Sequence, residues 1–215
     1  MLFRSFEEAK AILQAKNIFH EMPISVQKVI NQGVEGALEE TPKSQMPNIK
    51  HYLLASNVLA LNAAAQSAQK NGLSTKIVKE AMQGDVSEMI QKMLEILENS
   101  QEECILFGGE CTVRVSGNGQ GGRNQHAVAL MLEQICKRGL KISFLSAGTD
   151  GIDGNSDASG GVVSDEDCVK IEDKALSSYI KNFDSYNCLK ELDSLIVTGP
   201  SGTNVIDIAI IIKGE

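Results

Sequence analysis

The first hundred residues place most of their apolar positions at helical spacing. Ser5 followed by Glu8 matches a capping box, and apolar residues then recur every three or four positions through Leu13. Pro23 can occupy the first turn of a second helix, which ends near Gly33. The pattern predicts two more helices, at 58–70 behind a Ser56–Asn57 cap and at 86–97, and two short strands at 51–55 and 75–79 that form a βαβ unit with the helix between them.

The remainder of the chain combines short apolar runs with glycine-rich turns. Only four of the nineteen glycines precede residue 101, and the other fifteen lie mostly in turns between apolar runs, as is common where loops build a site on an α/β scaffold. The runs predict strands at 104–107, 111–116, 142–146, 195–198 and 205–213, the first two able to pair as a hairpin, and helices at 124–138, around 175–183 and near Leu189. Helices alternating with short strands predict a layered α/β fold, with a domain boundary near residue 100.

Composition and charge narrow the class of protein. The chain has 215 residues, of which 42% are hydrophobic, enough to bury a core. Its formal net charge is -8 and its basic residues are scattered, which argues against nucleic acid as a partner. No apolar run approaches the roughly 18–20 residues that cross a bilayer, and the start lacks the pattern of a secretory signal. We therefore expect a soluble, cytoplasmic protein with no membrane partner.

Cysteines and histidines offer no obvious cluster. The five cysteines contain no Cys-x-x-Cys pair, which favours reduced thiols over disulfides or a zinc site. The three histidines, at 20, 51 and 126, are dispersed, and each is expected to be structural. Candidate chemistry must therefore come from the glycine-rich loops.

The first loop, residues 117–125, lies between a predicted strand and a predicted helix. Glycines let the backbone approach a ligand closely, and the amides that begin the helix favour an anion such as phosphate. Gly117, Gly119 and Gly122 match the G-x-G-x-x-G spacing of dinucleotide sites, but the preceding run alternates polar and apolar residues and no acidic residue follows at the usual distance. Arg123 offers a planar fork for a carboxylate or phosphate. The alternative is a surface arginine in a flexible turn.

The second loop, residues 146–161, carries three aspartates after a predicted strand. Open α/β sheets bind ligands at such strand ends, and the carboxylates can hold Mg²⁺ together with phosphate oxygens. Asp150 is the best candidate because it is nearest the strand, and Asp153 is the second. The spacing of the aspartates does not match an EF-hand. The alternative is a set of Asp-Gly turns in which each aspartate bonds its own backbone.

The third loop, residues 197–204, is rich in hydroxyl groups and glycine. Its amides and hydroxyls can donate to phosphate oxygens, or the segment can be a tight turn between the two final strands. The sequence contains neither a Walker A motif nor a Gly-x-Ser-x-Gly nucleophile elbow. Taken alone, the three loops indicate an α/β enzyme that binds an anion.

These loops contain three long motifs: FGGECTVRVSGNGQGGRNQ at 107–125, SAGTDGIDG at 146–154 and TGPSGTN at 198–204. In order and spacing they resemble the MOFRL domain of class II glycerate 2-kinases. The resemblance covers about residues 101–215, and residues 1–100 resemble the last part of the preceding domain, here an incomplete Rossmann-like α/β domain. It implies transfer of the γ-phosphate of ATP to the 2-hydroxyl of D-glycerate, with ATP and Mg²⁺ as cofactors and a site in the cleft between the two domains.

At the matching positions, the resemblance implies that Arg123 is the catalytic arginine and Glu110 the acid of the Gly-Gly-Glu motif. Phosphoryl transfer needs positioning and charge neutralisation, which an arginine in the cleft supplies. Metal contacts are expected from Asp150 and Asp153. Substrate or nucleotide contacts are expected from Ser56, Asn57, Gly119, Gly121, Gly122, Asn124, Asp150, Thr198, Gly199, Thr203 and Asn204.

The family pattern also includes an earlier Gly-Lys-Ala motif with a catalytic lysine and an acidic Ser-Gly-Pro-Thr region, and this sequence contains neither. The chain is therefore expected to be a fragment, one product of a split gene whose other half is a separate chain, or an inactive relative. Two alternatives stay open: an NAD(P)H-dependent hydroxypyruvate reductase, a name that relatives have carried, and a non-catalytic module that binds nucleotide or glycerate.

Two structural expectations follow from these sequence patterns. The three loops should converge on one face, because each follows a strand end. Residues 1–100 should leave a sheet edge or apolar face exposed, because two short strands do not complete a sheet, and such an edge favours a homo-oligomer or a separate N-terminal half as partner.

Overall fold

Residues 5–42, 48–50 and 52–214 are described by a computed structural model of the chain. The backbone divides into two compact units, Met1–Tyr52 and Leu53–Glu215. Among the described residues, no helix is both long and apolar enough to span a membrane.

The first unit is helical. Helix α1 spans Phe6–Ala15, a 3-10 helix spans Phe19–Glu21 and helix α2 spans Ile24–Val34. The capping box predicted at Ser5 and Glu8 is confirmed, since each side chain accepts a hydrogen bond from the backbone N–H of the other residue. The predicted second helix is also confirmed. Gly33 is closely approached by the ring of Phe6, so that the two helices pack with little space between them.

The second unit contains a six-stranded mixed sheet, which confirms the α/β class. Its strands are β1 (Thr75–Met82), β2 (Cys104–Gly109), β3 (Ile142–Gly148), β4 (Gly160–Ser164), β5 (Leu195–Ile196) and β6 (Asp207–Lys213). Their order is β1-β2-β6-β3-β4-β5; β1 and β2 are parallel and the other pairs are antiparallel. The helices are α3 (Asn57–Lys70), α4 (Val86–Glu98), α5 (Arg123–Arg138), α6 (Asp173–Asn182) and α7 (Ser185–Glu191), with a 3-10 helix at Asp165–Val169.

Strand β2 is buried on both faces, with helices packed on each, which gives this part of the unit three layers. In β2, Ile105 and Phe107 belong to the main core with α4 and α5, whereas Cys104 and Leu106 belong to a smaller cluster with α3. Strand β6 alternates in the same way. This explains why the sequences of β2 and β6 read as nearly continuous apolar runs.

Two predicted strands do not form, and one strand was missed. Residues 52–55 form no strand, and Leu53 and Leu54 are 78% and 89% exposed, so no βαβ unit forms around α3; residue 51 lies outside the described residues. The parallel β1–α4–β2 unit takes its place. Residues 111–116 make only an isolated bridge, at Thr112, because both edges of β2 are already paired. Strand β4 was not predicted at all.

The expectation of reduced thiols is wrong for two of the five cysteines. Cys136 in α5 and Cys168 in the second 3-10 helix form a disulfide, while the other three cysteines are free and buried. The paired cysteines are 32 residues apart in sequence, so no local motif could signal the bond.

The segment before residue 100 contributes a single described strand, β1, which lies at one end of the strand order. Leu53, Leu54, Val58 and Leu59 are exposed apolar side chains at the start of the second unit. The two compact units divide near residue 52, not near residue 100. Compactness does not test where the two family segments meet, and that boundary stays a prediction.

Candidate functional site

The site centres on an ion pair between buried Asp207 and partly buried Arg123, at the ends of three strands. Asp207 begins β6 and lies opposite Gly109 of β2 and Gly148 of β3, two residues without side chains to cover it. Arg123 begins α5, and its Nε and Nη2 groups donate to the two carboxylate oxygens of Asp207 at 2.6 and 2.9 Å. Asp207 is 1% exposed. A two-point contact of this kind fixes the plane of the guanidinium.

A second carboxylate contacts the same guanidinium from the solvent side. Glu110 follows β2 directly, and its Oε1 lies 3.1 Å from Nη2 of Arg123. The side chain of Glu110 is 53% exposed, whereas that of Arg123 is 33% exposed. The hydrogen bonds that Arg123 donates to Asp207, together with the charges of Asp207 and Glu110, raise the pKa of Arg123 despite its partial burial. Arg123 is therefore a fixed positive charge at the surface of the second unit.

Asp153 occupies the N-terminus of α5. One of its oxygens accepts from the backbone N–H of Asn124 at 3.1 Å and the other from that of Gln125 at 2.8 Å. Gly122 is required beside it, because a Cβ there would come within 2.3 Å of the Asp153 carboxyl carbon. The prediction of a phosphate at these amides is corrected: the anion is a carboxylate of the protein itself. Burial raises the pKa of Asp153, with a further contribution from the nearby charge of Asp207, while the amide hydrogen bonds act in the opposite direction.

The glycine-rich loop packs against the α6–α7 turn instead of facing outward. Four consecutive amides of this loop donate to protein acceptors. A Cβ on Gly117 or Gly119 would come within 2.5 Å of the backbone at Asn182 or Asp184. The donors are Asn118, Gly119, Gln120 and Gly121, and the acceptors lie on Asn182, Asp184 and Asn155. Close packing therefore explains why glycine stands at Gly119, Gly121 and Gly122. A nucleotide role for these residues stays a prediction.

The second and third loops are joined by direct hydrogen bonds. Ser201 donates from its backbone to the carbonyl of Asp150 and from its hydroxyl to that of Thr149. Gly151 lies so close to Gly199 that a Cβ would come within 2.0 Å of the Gly199 carbonyl oxygen. The Asp150 carboxylate accepts a hydrogen bond from the N–H of Ile152. These contacts place Asp150 next to the exposed hydroxyl-rich loop.

Two further predicted residues reach the same strand ends from the other layer. Ser56 caps α3, and the Asn57 side-chain amide donates to the carbonyls of Val205 and Asp207, both at 3.0 Å. Thr198 and Thr203 lie on the exposed third loop, where Asn204 accepts from the N–H of Ile206. The expected convergence of the loops is therefore observed within the second unit.

Some of the predicted site residues are buried, away from solvent. Asn124 is fully buried and accepts a hydrogen bond from the hydroxyl of Ser146 at 2.7 Å, so its side chain supports the interior of the site. Asp153 is 3% exposed with both oxygens bonded to amides. In the described part of the chain, no three His, Cys, Asp or Glu side chains form a group suited to a metal ion.

Asp207 was missed by the sequence analysis. It belongs to the predicted strand at 205–213, and its partner lies 84 residues away. The available signal was a single carboxylate at the start of a run that is otherwise apolar, Ile208 to Ile212. An unpaired buried carboxylate is costly, so its presence at such a position predicts a cationic partner.

A small cavity lies beside the glycine-rich loop. It has a volume of about 270 Å³ and is lined in part by His126, Phe183, Val113 and Val115. The His126 ring stacks on Phe183 with centroids 4.6 Å apart, and its Nδ1 is buried without a hydrogen-bond partner among the described residues. Burial lowers the pKa of His126 to about 4, and the charge of Asp85 opposes this shift. His126 is therefore neutral near pH 7.

Comparisons with known proteins agree with the three motifs. The model of the MOFRL family matches residues 103–207. A glycerate 2-kinase from Pyrococcus horikoshii is 34% identical over 97% of this chain and 49% of its own length, and a putative hydroxypyruvate reductase from Agrobacterium vitis is 33% identical over 96% and 48%. The crystal structure of a glycerate kinase from Thermotoga maritima superposes with a TM-score of 0.76 and 32% identity, over 98% of this chain and 50% of that one.

The chain thus spans about half the length of the curated relatives it matches. The matched region contains the glycine-rich and aspartate-rich loops, Arg123, Glu110 and, as its last residue, Asp207. Through residues 103–207, the chain belongs to the MOFRL family.

Proposed function

We propose that this protein takes part in the ATP-dependent phosphorylation of D-glycerate to 2-phosphoglycerate, the glycerate 2-kinase reaction. The observation that carries the proposal is Arg123, held by buried Asp207 at the strand ends where the aspartate-rich and hydroxyl-rich loops come together. Two relatives that match 95% or more of this chain are named glycerate 2-kinase and D-glycerate 2-kinase. A fixed cation at a loop-built site suits phosphoryl transfer, where charge spreads over the oxygens of the moving group.

The residues around Arg123 supply the other groups that the proposed reaction needs. Exposed Glu110 contacts the guanidinium and stands beside any group bound there. Thr198, Gly199, Thr203 and Asn204 lie on a loop whose hydroxyls and amides can hold phosphate oxygens. Ser56 and Asn57 approach the same strand ends through α3. In the proposal, Arg123 and Glu110 act on the reacting groups and the loop positions the donor.

The carboxylates differ in how well they fit Mg²⁺. Asp150 is partly exposed and engages one backbone N–H, which leaves oxygen lone pairs for a cation. Mg²⁺ commonly takes one or two protein carboxylates together with phosphate oxygens and water, so Asp150 fits a Mg²⁺–ATP complex without a larger cluster. Asp153 fits poorly, because both of its oxygens accept from α5. Bound Mg²⁺ would neutralise phosphate charge.

The contacts of the glycine-rich loop argue against a reductase. The G-x-G-x-x-G spacing of Gly117, Gly119 and Gly122 binds dinucleotides when it follows a buried strand and presents free amides. Here no strand precedes the loop, and its amides donate to protein groups. The name putative hydroxypyruvate reductase therefore has no support from this geometry. A cytoplasmic location for the proposed reaction stays a prediction.

The test is an assay of two activities on the same protein. The chain is assayed alone and after joining to the first half of the Thermotoga maritima D-glycerate 2-kinase, with the intact relative as positive control. ADP release that depends on both D-glycerate and ATP supports the proposal, and NADH oxidation with hydroxypyruvate supports the reductase instead. Binding of ATP or glycerate by a well-folded fusion, with no turnover in either assay, would favour the non-catalytic module and defeat the proposal.

A further inference from the structure

The two carboxylates that contact Arg123 are unequal partners. Asp207 is 1% exposed and makes two hydrogen bonds, to Nε and Nη2, whereas the Glu110 side chain is 53% exposed and makes one contact, to Nη2. Among the described residues, Asp207 and Glu110 are the only side chains that contact the guanidinium, and neither of them contacts Nη1.

We propose that Asp207 is the permanent, positioning partner of Arg123 and that Glu110 is an exchangeable partner which an anionic group of the ligand displaces. The inference rests on the proposed function and deepens it, because it states how the site opens to a phosphate or carboxylate group. Asp207 does not touch the ligand and acts only through Arg123.

The energetics of the two pairs differ in kind. Separating Arg123 from Asp207 would leave a charge buried at the sheet, which typically costs several kcal/mol. Separating Arg123 from Glu110 exposes two groups that water already reaches, and such pairs are worth about 0–1 kcal/mol. An incoming anion therefore binds Arg123 by displacing Glu110, the more weakly bound partner.

Displacement has two consequences for the site. The ligand takes the Nη1–Nη2 edge of the guanidinium, where Glu110 makes its contact, while the Nε–Nη2 edge stays with Asp207. Glu110 is released as a carboxylate next to the bound group. Because the guanidinium plane is already fixed, little orientational entropy is lost when the ligand binds.

The proposal predicts opposite responses from the two pairs when the intact chain is titrated with inorganic phosphate. The Nε–H signal of Arg123 in ¹⁵N-labelled protein should be slow to exchange with water and should stay so at saturation. The side-chain carboxyl ¹³C signal of Glu110 should shift along the titration. Arg123→Lys and Glu110→Gln assign these signals by removing them.

Affinity for phosphate gives a second, independent measure. Glu110→Gln removes the competing carboxylate and should tighten phosphate binding by roughly 1.5- to 5-fold, the value of an exposed pair. Glu133→Gln is a matched control, because it also removes a carboxylate from an ion pair, the helical one with Lys137, away from the Arg123 cluster. It should leave phosphate affinity unchanged.

Asp207→Asn tests the fixed pair. In this variant we expect the Arg123 Nε–H to exchange rapidly with water, while the amide spectrum otherwise stays native. If the variant does not fold, the wild-type titration still decides the question. Loss of Nε–H protection on phosphate binding, weaker binding by Glu110→Gln, or no response of Glu110 to phosphate would each overturn the proposal. Failure of the proposed function shows separately, as phosphate binding with these signatures but no ADP release from the fusion protein.

Discussion

The Asp153 carboxylate lies 2.8 Å from the backbone nitrogen of Gln125 and thereby fills the N-terminus of the helix that Arg123 begins. An acidic group at this end of a helix satisfies free amides and interacts favourably with the helix dipole. The contact connects the aspartate-rich loop to the glycine-rich loop.

Replacing Asp153 with Asn should destabilise the protein without removing bulk. Asn keeps a single acceptor and turns its NH₂ group toward a backbone donor, so one buried amide loses its partner. We expect a loss of about 1–3 kcal/mol in the free energy of unfolding, measured in urea. Asp150→Asn is the control, since that carboxylate is partly exposed and accepts one backbone hydrogen bond. Equal losses in the two variants would show that the cap is not specifically stabilising.

His126 should make stability fall at mildly acidic pH. Because burial lowers its pKa from 6.5 to about 4, the unfolded state binds more protons than the folded state between these values. The stability is therefore complete above pH 6.5 and is lost as the pH falls toward 4, by up to roughly 3 kcal/mol. Urea unfolding of wild type and His126→Gln at several pH values measures the difference.

The control for this titration is His20→Gln, which removes an exposed histidine of the first unit. Its pH profile should follow that of the wild type, whereas His126→Gln should flatten the profile between pH 4 and 6.5. An unchanged slope in His126→Gln would assign the acid sensitivity to other groups.

The Cys136–Cys168 disulfide should stabilise the second unit. Closing a chain of this length restricts the unfolded state and is typically worth about 2–4 kcal/mol. Reduction with dithiothreitol should lower the free energy of unfolding by this amount. The double variant Cys136→Ala, Cys168→Ala provides the control, because it should match the reduced protein and show no response to dithiothreitol. A wild-type protein that is equally stable with and without reductant would contradict the disulfide.

The helices were predictable from local signals. Ser5 with Glu8 and Ser56 mark helix starts, and Gly139 ends α5 in the left-handed conformation, at a φ of 63°. Caps and helical periodicity involve residues within one or two turns, so they can be recognised in the sequence. Strand pairing cannot be recognised in this way. Residues 111–116 alternate like a strand, but β2 is already paired on both sides, by β1 and β6, and only the tertiary arrangement shows this.

The site residues that belong to a sequence motif could be predicted. The residue that completes the site from a distant part of the sequence could not. Arg123, Glu110 and Asp150 were found through their motifs, and the structure brings the loops that hold them together. Asp207 sits in an apolar strand, and its role appears only when β6 lies between β2 and β3. The glycines of 117–122 matched a nucleotide pattern, although their amides are used within the protein.

Arg123→Lys is the decisive substitution for the proposed reaction. Lysine keeps a positive charge but replaces the planar five-donor fork with a compact ammonium group, so the two-point contact with Asp207 and the Nη1–Nη2 edge are both lost. If Arg123 acts mainly on the transition state, kcat and kcat/KM should fall together, by roughly 10²-fold or more. Loss of simple substrate binding would instead raise KM alone. ADP release from the fusion protein, compared with Arg138→Lys on the opposite end of α5 as a matched control, distinguishes these outcomes. A near-normal kcat in Arg123→Lys would make Arg123 a structural or binding residue and remove the central support for the kinase mechanism.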